Sequence, residues 1–323
     1  MQLQQLRSFV KVVDAGGLTR AAEQMAITQP AVTRQVAQLE AELGTRLIVR
    51  RGRRLQLTAS GEVLYHYARR IGALVDDAAE AVRAVESPGR GVVRVGAVST
   101  LGLTVLPSIL ARFAARYTAM RVRVRLGDVD ENIAWLLAGE MDAAVVTMPV
   151  THGKLVCLPL FRDPVHLVAT PNLARLWPRP LPLAALSQLD FISYQAPSRF
   201  RTFVDSVLEQ HGVLPRVLME FNSQEAVRAM VLLGLGAAFM PQSVAGDDVA
   251  AGRLVVVPVE ELGPLSRVAS LLLLAEGHAT AGLRAFAEMV GSLYAPPAES
   301  WPGWLRPIGA SPADRPASRE PAP

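Results

Sequence analysis

The sequence predicts an α/β protein in three parts: an N-terminal winged helix-turn-helix, a long linker helix and a two-lobed Rossmann-like domain. Three observations carry that expectation. Apolar residues recur at three- and four-residue intervals in short stripes up to residue 43, the spacing that lines one face of a helix. The same spacing then runs without a break from Leu64 to Val85. From Val92 onward, short strand-like runs alternate with helical stripes, and the series occurs twice. The expected boundaries are 1–60 for the winged head, 61–90 for linker helix and hinge, 91–294 for the bilobed domain and 295–323 for a Pro-rich disordered tail. Within the bilobed domain, lobe I takes about 91–160 and 268–294, and lobe II about 161–267.

In the head, Leu3, Leu6, Phe9, Val10 and Val13 form the first stripe, which Gly16-Gly17 ends. Leu18, Ala21, Ala22 and Met25 form the second. The third helix opens at Thr28, placed as its N-cap, carries Pro30 in its first turn and buries Val32, Val36, Leu39 and Leu43 before Gly44. Two short helices joined by a tight turn read as a helix-turn-helix. Burying that apolar side leaves Pro30, Thr33, Arg34 and Ala37 outward, with Gln29 at the helix start. Small residues let such a face enter a major groove, where a hydroxyl, an amide and a guanidinium reach base edges or phosphates. A merely solvated polar face is the alternative.

Leu47 and Val49, then Leu55 and Leu57, alternate around Arg50-Arg51-Gly52-Arg53-Arg54, which reads as a β-hairpin with four arginines at its turn. Like charges crowded on a turn repel one another, so Arg50, Arg51, Arg53 and Arg54 suit phosphates or a minor groove. Residues 1–60 hold nine Lys or Arg against four Asp or Glu, whereas the residues beyond 90 are balanced. The excess positive charge therefore sits where a polyanion would be met, and double-stranded DNA is the expected partner.

Leu6-Arg7-Ser8-Phe9, Ala21-Ala22-Glu23, Thr28-Gln29-Pro30-Ala31-Val32-Thr33-Arg34-Gln35, Leu39-Glu40, Leu43-Gly44-Thr45-Arg46-Leu47 and Leu57-Thr58-Ala59-Ser60-Gly61 stand in the order of the N-terminal signature of LysR-type transcriptional regulators, which the chain resembles. The likeness extends through Met141-Asp142-Ala143-Ala144-Val145 and Gly234-Leu235-Gly236-Ala237-Ala238-Phe239-Met240-Pro241. Departures are small: Thr28 and Thr33 replace the usual serine, Ile48 a common phenylalanine, and Gly17 a frequent capping serine. The resemblance implies sequence-specific transcription regulation, base or phosphate contacts from Gln29, Thr33 and Arg34, and a wing contact from Arg53. It further implies a small effector, often an organic acid, at strand ends of the bilobed domain, and RNA polymerase as a partner.

After the wing, Thr58 is placed to cap a helix with Glu62 in its first turn, and Leu64, Tyr67, Ile71, Leu74, Ala78, Ala81 and Val85 make an a/d seam up to Pro88. A helix of about 30 residues, roughly 45 Å long, needs a partner for its stripe. The same helix of a second chain is the expected one, through Leu64, Tyr67, Ile71, Leu74, Ala78 and Val85; packing on its own body is the alternative. A homodimer or homotetramer would set two recognition helices on two half-sites. Ser87-Pro88-Gly89-Arg90-Gly91 reads as a hinge.

Beyond it, Val92–Val98, Leu106–Tyr117, Arg121–Leu126, Ile133–Leu137 and Ala143–Val146 read as βαβαβ, with 121–126 an edge strand. Phe191–Tyr194, Phe200–His211, Val217–Phe221, Glu225–Leu233 and Gly236–Met240 repeat the pattern, joined by strands near 158–170 and 266–274. Two such lobes, in the manner of periplasmic binding proteins, enclose a cleft at the carboxyl ends of their strands. Ser99 and Thr100 after the first strand, Thr147 at another strand end, Ser198 at the matching junction and the nearby Arg201 are the candidate effector ligands, suited to an anion. Simple helix capping by Ser99 and Ser198 is the alternative.

Other classes find less support. No HExxH, GxSxG or GxxxxGK[ST] motif is present, and the five histidines lack metal-ligand spacing, so no enzyme, metal or cofactor is expected. Cys157, the single cysteine, lies in an apolar stretch and reads as an inert thiol. Half the residues are apolar and mean hydropathy is +0.26, yet the longest uncharged apolar run, Ala229–Met240, is too short to span a bilayer. Arg7, Lys11 and Asp14 interrupt the place of an export signal, so a cytoplasmic protein off the membrane is expected. An enzyme or a solute-binding module fused to a DNA-binding head is the rival reading.

Overall fold

The structure, a computed structural model, describes residues 1–51, 54–86, 91–147, 150–277, 279–297 and 300–305. Arg53, the hinge residues 87–90 and residues 306–323 lie outside the described residues, and for Arg50, Arg51, Arg54 and Val85 only the backbone is described.

Helices α1 (Leu3–Asp14), α2 (Leu18–Met25) and α3 (Gln29–Leu43) pack their apolar stripes into one core of Leu6, Phe9, Val12, Ala21, Ala22, Val32, Val36 and Leu39. Gly16 and Gly44 adopt φ of +67° and +65°, the left-handed geometry that stops α1 and α3. Two details differ from the sequence reading. Leu43 is exposed, because α3 outruns the small core beneath it. Thr28 stands at the N-cap of α3 without a side-chain cap; its carbonyl accepts from Ala31 and Val32 N–H instead.

Strands β1 (Ile48–Arg51) and β2 (Arg54–Leu57) form the antiparallel wing, with Arg51 opposite Arg54. Leu47 is buried in the head core, and Ile48, Leu55 and Leu57 pack against it. Thr58 caps the next helix as expected, its Oγ1 accepting from Gly61 N–H at 3.0 Å and donating to the Arg46 carbonyl at 2.7 Å. Gly61 is required there, since a Cβ would collide with the Leu47 carbonyl oxygen. The linker helix α4 runs Ala59–Glu86.

The bilobed domain is built on a sheet ordered β10-β6-β11-β5-β3-β4, with β9 also pairing β6. Its strands are β3 (Gly91–Val98), β4 (Met120–Gly127), β5 (Ala143–Thr147), β6 (Leu155–Ala169), β9 (Ala238–Pro241), β10 (Val255–Val256) and β11 (Leu265–Leu274). β3 pairs in parallel with β4 and β5, so β4 is the expected edge strand. The second lobe's β7 (Asp190–Tyr194) and β8 (Arg216–Phe221) are also parallel, and β7 meets the segment before β9 through Ile192 and Ala237. The antiparallel pair β6 and β11 crosses from one lobe to the other.

Helices α5 (Ser99–Thr104), α6 (Leu106–Arg116), α7 (Val129–Leu137) and α12 (Ala281–Tyr294) serve lobe I. Lobe II carries α8 (Pro171–Ala174), α9 (Arg199–Gln210), α10 (Gln224–Leu232) and α11 (Gln242–Ala250). Each lobe has its own core, one around Val95, Val145, Leu271 and Phe286, the other around Leu167, Ile192, Val227 and Phe239. α7 begins four residues earlier than the apolar pattern suggested, because Asp128 and Glu131 form a reciprocal capping box.

The tail is a further correction. Residues 300–305 are ordered on lobe I: Trp301 and Leu305 are buried, and Trp304 donates to the Ala275 carbonyl at 2.9 Å. Burying Trp301 and Leu305, with Trp304 packed half-buried beside them, outweighs the Pro-rich character of the segment.

Candidate nucleic-acid interface and ligand cleft

With Val32, Val36 and Leu39 buried, α3 presents Gln29, Pro30, Thr33, Arg34 and Ala37 to solvent, the face that the periodicity assigned to DNA. Gln29 Nε2 donates to Thr33 Oγ1 at 2.8 Å, and Thr33 Oγ1 donates to the Gln29 carbonyl at 3.0 Å. The two polar groups most suited to base edges are thereby held together one turn apart. An open groove of about 340 Å³, lined by Leu18, Thr33, Val36, Ala37, Ile48 and Val49 among others, separates this face from the wing.

The wing is braced by a residue whose role the sequence did not reveal. Glu40, buried on α3, accepts from Leu47 N–H at 2.8 Å, Ile48 N–H at 3.3 Å and Arg46 Nη1 at 3.0 Å. One carboxylate thus fixes where β1 leaves the head and how it lies beside the recognition helix. Ser8, fully buried, donates to Gln35 and ties α1 to the back of α3.

The linker seam divides in two. Leu64 and Ile71 are half-buried against the head core, together with Tyr65 and the buried Ala68. The outward stripe is Val63, Tyr67, Leu74, Ala78 and Val82, so Leu64 and Ile71 are not on the free face that the seam assigned to them. The seam residues follow one another along the sequence, but the winged head already occupies one side of the helix base.

In the bilobed domain, Ser99 is the exposed first residue of α5 with Val98 at the N-cap position, so it does not cap that helix. Thr100 and Thr147 are buried at the carboxyl ends of β3 and β5. Ser198 does cap α9, accepting from Arg201 N–H at 3.4 Å. Arg201 departs from expectation. Its guanidinium donates to the Tyr194 carbonyl and Glu220, both at 2.9 Å, and to Asp205. Burial pulls its pKa down, but those two carboxylates outweigh that and raise it; the cation is already neutralised within lobe II.

The two lobes meet where α11 contacts α5 and where Arg199, at the start of α9, pairs with Asp130 of α7 at 2.7 Å. Beneath α9 and α11 lies a cluster that sequence reasoning missed. Asp163 of β6 and Arg267 of β11 are register partners, 2.9 Å apart and each almost wholly buried. Asp163 also accepts Ser243 N–H at 2.9 Å and Ser243 Oγ at 2.7 Å from the first turn of α11. The Arg267 guanidinium lies 5.4 Å from the Phe200 ring centre. Burial lowers its pKa, against the opposing charge of Asp163.

The Tyr194 hydroxyl is buried with no hydrogen-bond partner among the described residues. Burial pushes its pKa up, opposed by Arg267. These groups come from five elements far apart in sequence, so no spacing rule could have joined them. Cys157 is half-buried on β6. Among the described residues no three His, Cys, Asp or Glu gather as metal ligands, and no helix is long and apolar enough to cross a membrane.

Comparison with known proteins agrees with this geometry. Residues 3–62 match the model of the bacterial regulatory helix-turn-helix protein, lysR family, and residues 86–295 match that of the LysR substrate binding domain. A probable RuBisCO transcriptional regulator of Cyanophora paradoxa is 30% identical over 307 residues, covering 90% of this chain and 92% of that protein. The HTH-type transcriptional regulator CbbR of Rhodospirillum rubrum is 30% identical over 265 residues, covering 82% and 87%. Among solved structures, full-length CbnR complexed with its target DNA superposes with a TM-score of 0.66 at 23% identity, over 91% of this chain and all of that one. ArgP from Mycobacterium tuberculosis gives 0.68 at 18% identity, over 94% and 98%. At these identities the structural matches speak to the fold.

Proposed function

The chain belongs to the LysR family of transcriptional regulators, with a DNA-binding helix-turn-helix and an effector-binding domain, and on that premise we propose which residues do its work. Gln29, Pro30, Thr33 and Arg34 enter the major groove, while Arg50, Arg51, Arg53 and Arg54 at the wing tip neutralise phosphates or reach the minor groove. The observation that carries this assignment is the division of α3 into a buried apolar side and an exposed face bearing the linked Gln29 and Thr33. The stripe Val63, Tyr67, Leu74 and Ala78 pairs with the same stripe of a second chain, which places two heads on a dyad-symmetric site and raises joint affinity through effective concentration.

A small organic anion is the effector, held where the strand ends of the two lobes face each other. Ser99, Thr100 and Thr147 serve it from lobe I and Ser198 from lobe II. Arg201, being already paired, acts by shaping β7 and α9. A ligand that binds one degree of lobe closure more tightly than another shifts the spacing of the heads along the duplex, and without such a difference it shifts nothing. The protein acts in the cytoplasm, carries out no turnover and signals to RNA polymerase.

Selection of duplexes from genomic fragments by the purified protein tests the reading, and recovery of a dyad-symmetric motif is the expected result. Absence of binding at every ionic strength would overturn the assignment of the head. If metabolites that bind the protein alter neither DNA affinity nor footprint, the switch is wrong although the head stands.

A further inference from the structure

We propose that Glu140 is a positioning residue for the DNA-binding head: through Arg69 it holds the linker helix, and with it α1, against lobe I. The inference rests on the regulator reading above and adds the joint by which the bilobed domain sets the stance of the head.

Glu140 follows α7 in a turn where Gly139 adopts φ +72°. A Cβ on Gly139 would come within 3.1 Å of the Ala73 side chain on α4, so the turn lies directly on the linker helix. The Glu140 carboxylate is shared between two arginines. Oε1 pairs with Arg69 Nη2 at 2.7 Å and Oε2 with Arg125 Nη1 at 2.9 Å. Arg125 is itself stacked on Trp135 of α7, 3.8 Å from the ring centre, so Glu140 is pinned from the lobe side.

On the linker side, Arg69 Nη1 donates to the Tyr65 hydroxyl at 2.7 Å, and that hydroxyl donates to Asp14 at the end of α1. Burial, followed by the hydrogen bond to Asp14, pushes the Tyr65 pKa up to about 12, so the hydroxyl keeps its proton through the physiological range. The chain of contacts therefore runs Trp135–Arg125–Glu140–Arg69–Tyr65–Asp14, from a lobe I helix to the first helix of the head. Arg69 and Glu140 are 25% and 17% exposed, so solvent screens this pair less than an exposed one.

The other end of α7 completes the arrangement. Asp130, in its first turn, pairs with Arg199 of lobe II. A nine-residue helix is a rod of about 13 Å. A change in lobe closure that makes or breaks the Arg199 contact acts on one end of that rod, and Glu140 delivers it at the other. The two lobes and the head then share a single stiff part through which sites this far apart bias one another.

The test uses the full chain carrying Glu140→Arg, Arg69→Glu and the exchange of both, with Glu140→Gln as a milder change. Spin labels at Arg20 on α2 and Arg112 on α6, with Cys157→Ser, report the head-to-lobe distance. Affinity is measured on a duplex selected in vitro by the unaltered protein. Each charge reversal should broaden or shift the distance distribution and change affinity about three- to tenfold, while melting temperature stays within a few degrees. The exchange should restore both readouts in part, a rescue that a purely packing role would not give; it stays incomplete because the arginine then at position 140 faces Arg125 and the glutamate then at 69 faces Asp14. Distances and affinity unchanged in Glu140→Arg would overturn the proposal, as would an exchange no nearer to the unaltered protein than either single reversal. If the unaltered protein binds no duplex, the DNA reading fails, and the distances still decide this proposal.

Discussion

The head and lobe II carry their polar groups in opposite ways. On α3 the proposed recognition residues are exposed and follow one another on the same turns, with the apolar core directly behind them. In lobe II a polar cluster is buried, and its groups come from β6, β7, α11 and β11, far apart in the sequence. A rigid, highly charged duplex can be met by side chains standing in water, backed by a small rigid core. A buried charge persists only where partners held from several directions replace the water it has lost. The first arrangement leaves a periodic trace in the sequence; the second does not.

Four expected outcomes test how far the two regions differ, the largest effect first. Asp163→Ala leaves Arg267 buried and unpaired, which should cost about 3–5 kcal/mol of bilobed-domain stability. Thermal unfolding would reveal it; a loss below about 1 kcal/mol would mean that water reaches the cluster. The head, with a separate core, should keep its fold. Gly61→Ala drives a methyl into the Leu47 carbonyl and should destabilise the head by about 1–3 kcal/mol, with loss of DNA binding, while the lobes keep their melting transition.

Within the head, Gln29→Ala should cost about 1–3 kcal/mol of discrimination at particular base pairs, whereas Arg53→Ala should weaken binding to all duplexes and reduce the salt dependence by about one ion. Equal effects of both changes on selected and random DNA would undo the division of roles between α3 and the wing.

The smallest effect is a pH dependence confined to lobe II. Burial alone would push the Asp248 carboxyl up, but Arg228 and Arg253 outweigh it and hold its pKa below the usual value. A depressed folded-state pKa means the contribution is complete above the unfolded value near 3.9 and is lost as pH falls through the folded one. Acid unfolding of Asp248→Asn should therefore depend less steeply on pH below about 4 than that of the unaltered protein.

Much of the architecture was legible because helix and strand periods are local. The three head helices, the arginine hairpin, the long linker and the doubled strand-helix series all follow from spacing within windows of a few residues. The start of α7 is legible too, in the reciprocal capping pair Asp128 and Glu131. Trp301 and Trp304 mark the stretch of the tail that packs on lobe I, yet composition averaged over the segment hides them. Arg201 was assigned to a ligand because positive charge near a strand end suits an anion; Glu220, on the neighbouring strand, had already claimed it.

Residues one or two turns apart are enough to set the kinds of elements, their order and the outward face of α3. Packing alone settles that Glu40 braces the wing, that Leu64 and Ile71 of the linker seam lie against the head, that Arg201 is neutralised and that Asp163 joins Arg267. Those outcomes depend on which distant groups are desolvated together, and a buried charge takes whichever partner the packing brings within about 3 Å.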